Sequence, residues 1–79
     1  MQVRIKVFGT LQKYLHSSDG RHHFIMELKS GTTAGDVLSE LKIPEQTIKM
    51  IFVNGKFSNE NIVLKAGDVL SLFPPVGGG

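Results

Sequence analysis

Residues 2–8 of this chain alternate between apolar and polar, and that alternation constrains everything downstream. Val3, Ile5 and Val7 fall on one side, with Gln2, Arg4 and Lys6 on the other. A period of two is that of a β-strand with one face buried and one in water. In 79 residues there is room for one domain and one small core, so the apolar side of this strand must face that core. Phe8 then breaks the pattern. By period it shares the polar face with Arg4 and Lys6.

The remaining apolar residues come in short runs. Gly9-Thr10 ends the first strand, Leu11 to Leu15 has the spacing of one helical turn, and Ser17-Ser18-Asp19-Gly20 reads as a loop. Residues 22–28 predict a second strand with Phe24, Met26 and Leu28 inward. Ser30-Gly31-Thr32-Thr33 supplies turn and N-cap chemistry and Asp36 suits a first helical turn, so a helix is expected from about Ala34 to Lys42, presenting Val37, Leu38 and Leu41. Pro44 limits it, and 45–48 reads as a short turn.

Met50-Ile51-Phe52-Val53 is continuously apolar and too short for a helix, which predicts a buried strand. Asn54-Gly55 is the strongest short-range hairpin signal and predicts a type I′ turn, with Lys56-Phe57 returning from it. Ile62-Val63-Leu64 packs once more before a turn at Lys65 to Asp68. In the last strand, Val69 to Phe73, Leu70 and Leu72 alternate with Val69, Ser71 and Phe73; with the leucines in the core, Phe73 faces out. Strands with one helix across a face, and the terminal strands side by side in the sheet centre, make an α+β domain. That order fits several folds.

Composition excludes whole classes of function. With no cysteine there is no disulfide, thiolate metal site or thiol nucleophile. The nine basic residues are scattered and the net charge is only +2, unlike the clustered basic face of a nucleic-acid reader. No apolar run approaches the ~20 residues of a membrane span, and the N-terminus alternates at once without a signal-peptide core, so a cytoplasmic protein is expected. His22 and His23 point to opposite faces of a strand and cannot easily share a metal. His16 with Asp19 is a weak pair, so no metal site is expected. No nucleophile-base pair or carboxylate pair has positional support.

The distinctive group is at the end of the chain. Phe73-Pro74-Pro75-Val76-Gly77-Gly78-Gly79 runs from an apolar strand through two prolines into three glycines. Prolines stop the strand and favour a stiff, extended exit; glycines, lacking Cβ, thread a gap too narrow for other residues. From Pro74 onward the segment spans at most about 20 Å. A chain-terminal carboxylate is an anion at neutral pH and a poor acyl electrophile, but a partner that adenylates it with ATP supplies a leaving group that sulfur can displace. Taken alone, the three glycines favour a mobile tail; attached to Phe-Pro-Pro after a final strand, they read differently.

These pieces together carry a resemblance. Val3 through Leu11, the Thr33-to-Leu41 helix, Val53-Asn54-Gly55, Ala66-Gly67-Asp68 and above all Phe73 through Gly79 resemble the MoaD/ThiS family of ubiquitin-like sulfur-carrier proteins, over nearly the whole chain. The Phe-Pro-Pro segment looks like MoaD, the small subunit of molybdopterin synthase. Val76 before three glycines departs from the usual MoaD alanine-diglycine and is common in ThiS.

The resemblance implies a β-grasp (ubiquitin-like) domain over 1–73, with first and last strands parallel and central, and a flexible tail over 74–79. It implies a carrier rather than an enzyme, with no bound cofactor. Gly79 is adenylated by a MoeB/ThiF-type enzyme that uses ATP, then thiocarboxylated from a sulfur donor protein. A MoaE-like large subunit then uses the sulfur in molybdopterin (molybdenum cofactor) synthesis. The alternatives are a ThiS-like carrier for thiamine thiazole synthesis and a ubiquitin-like modifier conjugated through Gly79. Phe8 and Phe73 match positions that MoaD-like proteins use to contact their enzymes, and Phe57 lies near a third, though Phe57 also suits the edge of a core. Pro74, Pro75, Val76, Gly77 and Gly78 are the expected partner-binding stretch of the tail. The free protein is expected to be a monomer that binds neither nucleic acid nor membrane.

Overall fold

A computed structural model describes residues 1–9, 11, 23–48 and 50–75. In it five strands form one mixed sheet: β1 (Gln2–Val7), β2 (His23–Glu27), β3 (Met50–Val53), β4 (Lys56–Ser58) and β5 (Val69–Phe73). One helix, α1 (Ala34–Glu40), connects β2 to β3, followed by a 3₁₀ turn at Glu45–Thr47. The strand order across the sheet is β2-β1-β5-β3-β4. β1 and β5 are central and parallel, Arg4 opposite Val69 through Val7 opposite Leu72, while the other neighbours pair antiparallel. This is the β-grasp arrangement that the resemblance implies.

Alternation decides which side is core. Val3, Ile5 and Val7 of β1 and Leu70 and Leu72 of β5 are at most 1% exposed. They form one cluster with Ile51 and Val53 of β3, Ala34, Val37 and Leu38 of α1, and Leu11, Ile43 and Leu64. Phe24, Met26 and Leu28 pack against it from the β2 side, with Leu41, Ile48 and Ile62. Each aliphatic side chain taken from water here contributes about 1.5–3 kcal/mol before the entropy cost of ordering it.

The helix is held at both ends by contacts outside itself. Thr33 is its N-cap: Asp36 N–H donates to Thr33 Oγ1 at 3.1 Å, and Thr33 N–H donates to Asp36 Oδ2 at 3.0 Å, a reciprocal capping box. The next two N–H groups of the first turn, on Ala34 and Gly35, donate to the Ile62 and Glu60 carbonyls at 3.0 and 2.8 Å. Residues 62–64 therefore clasp the start of α1, through an antiparallel bridge of Thr33 to Val63, rather than adding a strand to the sheet.

α1 ends at Glu40, two positions before the Lys42 that the sequence suggests. Lys42 turns to φ +58°, its N–H donates to Ser39 O at 3.1 Å, and the Ile43 N–H reaches Leu38 O at 3.0 Å. That is a Schellman closure, with Ile43 and Leu38 both buried beneath it. The Asn54-Gly55 hairpin is as expected: both residues have positive φ, 54° and 82°, as a type I′ turn requires.

Two expectations need correction or delimitation. β3 is not buried on both faces: Ile51 and Val53 enter the core while Met50 and Phe52 are half-exposed, because β3 pairs with β5 and shares its two-sided alternation. The expected helical turn over Leu11 to Leu15, of which only Leu11 is described, and the loop bearing His16 and Asp19 extend outside the described residues, as does His22.

Candidate functional site

The face of the sheet opposite the core carries the candidate site. The registers put Lys6 beside Ser71, Phe52 beside both Ser71 and Phe57, and Met50 beside Phe73. One further hydrogen bond, Phe8 N–H to Leu72 O at 3.1 Å, carries the parallel ladder past the end of β1 and brings Phe8 next to Phe73.

The result is a row of four rings. Phe8 and Phe73 stack, with centroids 4.4 Å apart and planes 2° from parallel. Phe52 meets Phe73 edge-on at 5.5 Å and 77°, and meets Phe57 at 5.7 Å and 80°. Both geometries suit the aromatic quadrupole. Phe8, Phe52 and Phe73 are half-buried, whereas Phe57 is 69% exposed. Phe57 thus ends the row on an edge strand and does not cover the core.

Phe52 is the member that sequence reasoning missed. The signal was available: in a two-residue hairpin closed at Asn54-Gly55, Val53 pairs with Lys56 and Phe52 with Phe57, so Phe52 must share whichever face Phe57 takes.

Next to the rings the same face turns basic. Arg4 and Lys6 lie half-exposed on β1 and His23 is exposed on β2. Arg4 Nη1 lies 3.0 Å from His23 Nδ1, a contact in which the guanidinium can only donate. The face is therefore aromatic across β5, β3 and β4 and carries the cations Arg4 and Lys6 on β1, with His23, Ile25 and Glu27 of β2 beside them. Among the described residues, no group of three or more His, Cys, Asp and Glu gathers to hold a metal ion.

The tail leaves from the aromatic half. Pro74 follows Phe73 directly and is half-buried; Pro75 is exposed. Val76, Gly77, Gly78 and Gly79 lie outside the described residues. Of the expected site residues, then, Phe8, Phe73, Pro74 and Pro75 come together at one end of the central strand pair, and Phe57 joins them through Phe52.

A model of the ThiS family matches residues 5–79. The chain belongs to the ThiS family. As the resemblance suggested, this ThiS-family chain has a ubiquitin-like sulfur-carrier fold. It superposes on SAMP1 from Haloferax volcanii with a TM-score of 0.74 at 24% identity, each chain fully covered, a likeness of fold. It also superposes on a candidate molybdopterin converting factor subunit 1 from Pyrococcus furiosus, TM-score 0.72 at 27% identity, covering 95% of this chain and 98% of that one. A third match comes from the complex of subunits 1 and 2 of molybdopterin-converting factor from Helicobacter pylori, TM-score 0.64 at 27% identity with full coverage of both chains. No curated protein matches it in sequence at a significant level. Among the described residues no helix is long and apolar enough to cross a membrane.

Proposed function

We propose that this ThiS-family protein carries sulfur as a thiocarboxylate on Gly79 and delivers it to molybdopterin synthesis as the small subunit of a synthase. The observation that carries the reading is the continuity of the Phe8–Phe73 stack with Pro74 and Pro75 at the base of the tail. A partner that docks on the rings thereby receives the segment that leads to Gly79. Half-buried aromatic rings grouped on a solvent-facing sheet surface are the kind of patch that protein partners cover.

In the proposed chemistry, a Gly79 carboxylate oxygen attacks the α-phosphorus of ATP in a MoeB/ThiF-type enzyme, forming a carboxyl–phosphate bond and releasing pyrophosphate. Sulfur at the oxidation level of hydrosulfide, from a donor protein, attacks the carbonyl carbon; AMP leaves with the oxygen, a proton is released, and a thiocarboxylate remains. The carrier supplies the acyl group and its delivery, and the partners supply catalytic groups and ATP. A MoaE-like large subunit is the final acceptor complex, a reading supported by the two-subunit Helicobacter assembly. The Val76-Gly77-Gly78-Gly79 ending favours a second reading, a ThiS-like carrier for thiamine thiazole synthesis.

Intact-mass measurement of protein from its native cell tests the proposal. One oxygen-to-sulfur exchange, mapped to Gly79, is expected, along with co-purification of a larger synthase subunit. Deleting Gly79 is expected to abolish adenylation and leave the fold intact. Isopeptide linkage of Gly79 to lysines of other proteins would identify a modifier instead, and a thiocarboxylate co-purifying with thiazole-forming partners would favour the second reading.

A further inference from the structure

Gly9 lies where the first strand ends, at φ +56°, a left-handed conformation that disfavours side chains. A second constraint acts on it from the far end of the chain. A Cβ on Gly9 would stand 2.9 Å from Pro74 Cγ and 3.6 Å from Pro74 Cδ, the first well inside the ~3.5–4.0 Å of favourable carbon contacts. The Pro74 ring therefore sits in the space that the missing side chain leaves.

The Gly9 side of this contact is held more firmly than the Pro74 side. Phe8, before Gly9, is fixed by its hydrogen bond to Leu72 O and by its stack on Phe73. Leu11, beyond it, is 1% exposed in the core and donates to Phe8 O at 3.2 Å. Phe73, before Pro74, is held by the same stack. A side chain at position 9 is relieved most readily by displacing Pro74, the first residue beyond β5. Pro75 in turn restricts the backbone of Pro74 before it, so a shift of the Pro74 ring carries Pro75 with it.

We propose that Gly9 is a positioning residue: its bare Cα seats the Pro74 ring, and that seat sets the direction in which the chain leaves the domain at Pro75. The consequence for delivery rests on the carrier function proposed above, whereas the seat itself does not.

The test is a double-mutant cycle in the full chain, using Gly9→Ala, Pro74→Ala and the pair. Backbone strain from Gly9→Ala is common to both backgrounds and cancels; the clash exists only while Pro74 is present. Because the chain has no cysteine, Val76→Cys places a single nitroxide at the tail, and its broadening of sheet amides reports the exit direction by NMR. Gly9→Ala is expected to change the broadening pattern when Pro74 is present and leave it unchanged with Pro74→Ala. In parallel, with Val76 intact, adenylation by a MoeB/ThiF-type enzyme is expected to lose about tenfold or more in kcat/KM in the Pro74 background, and less than about twofold further in the Pro74→Ala background.

Equal effects of Gly9→Ala in both backgrounds, or none in either, would overturn the seat. A changed exit direction with unchanged adenylation would overturn its role in delivery. If Gly9→Ala does not fold, Gly9→Asn presents the same Cβ from a residue that tolerates positive φ. Failure of the unaltered protein to be adenylated at all would count against the carrier function, and the nitroxide cycle would still decide the seat.

Discussion

The rings of Phe8 and Phe73 lie 4.4 Å apart and 2° from parallel, although one follows the first strand and the other ends the last. Their neighbours Val7 and Leu72 are fully buried on the opposite side of the same strand pair. Alternation thus makes adjacent residues serve two surfaces, one closing the core and one forming the aromatic face. The parallel pairing of β1 with β5 is the step from sequence to site, because it sets residue 8 beside residue 73. A rigid core behind the rings also means that a docking partner need not order them.

That division predicts opposite outcomes for adjacent substitutions. Leu72→Ala removes a fully buried side chain from the core, and a loss of about 2–5 kcal/mol is expected, a large fraction of the stability of so small a domain. Phe73→Ala removes a half-exposed ring with two ring contacts, expected to cost about 1–2 kcal/mol. Affinity for the adenylating enzyme or the large subunit should nonetheless fall about tenfold or more with Phe73→Ala, and change little per folded molecule with Leu72→Ala. Urea denaturation and calorimetric titration on both variants check this. A large stability loss with unchanged affinity for Phe73→Ala would mark the ring as structural.

How much of this was legible depended on whether a residue's face follows from its neighbours. Val3 to Phe8 and Leu70 to Phe73 announce their faces through strict alternation, so Phe8 and Phe73 could be assigned outward. Met50 to Val53 offers no contrast between faces, and Phe52 was lost in an apolar run until the hairpin register placed it. The helix end was overestimated because Lys42 looks like a helix former and takes the left-handed position usually given to glycine. The Gly9–Pro74 seat was out of reach, since one local residue and one distant residue define it and neither is unusual alone. The catalytic assignment of Gly79 comes from the resemblance and the chemistry of the tail, with Val76 to Gly79 outside the described residues.

Lys42 supplies a prediction of the reverse sign. It is exposed and held at φ +58°, a conformation that costs a non-glycine residue about 1–2 kcal/mol. Lys42→Gly removes that strain and retains both Schellman hydrogen bonds, at the cost of a more flexible unfolded chain. A net gain of about 0.5–1 kcal/mol is expected, which raises the thermal midpoint by several degrees in a domain of this size. Scanning calorimetry reads it directly; a lowered midpoint would show that the lysine side chain contributes more than its backbone strain costs.

Asn54 ties the two turns at the other end of β5, far along the strand from the tail. Its side-chain amide donates to Asp68 Oδ1 at 2.9 Å, its carbonyl accepts from the Val69 N–H at 2.9 Å, and its φ of +54° forms the hairpin turn. Asp68 Oδ2 in turn accepts from the Lys65 N–H at 2.8 Å. Asn54→Gly retains the turn conformation and loses the two side-chain hydrogen bonds, so a cost of about 1–2 kcal/mol is expected. Asn54→Ala adds the strain of a left-handed alanine, about 1 kcal/mol more. Asn54→Gly and Asp68→Ala share one of these bonds, so their combined cost should fall short of the sum by at least about 0.5 kcal/mol. Neither should alter adenylation per folded molecule, because the Phe8–Phe73 stack and Pro74 lie at the opposite end of β5. Urea titrations give the coupling, and additive costs would show that the Asn54–Asp68 bond contributes nothing measurable to stability.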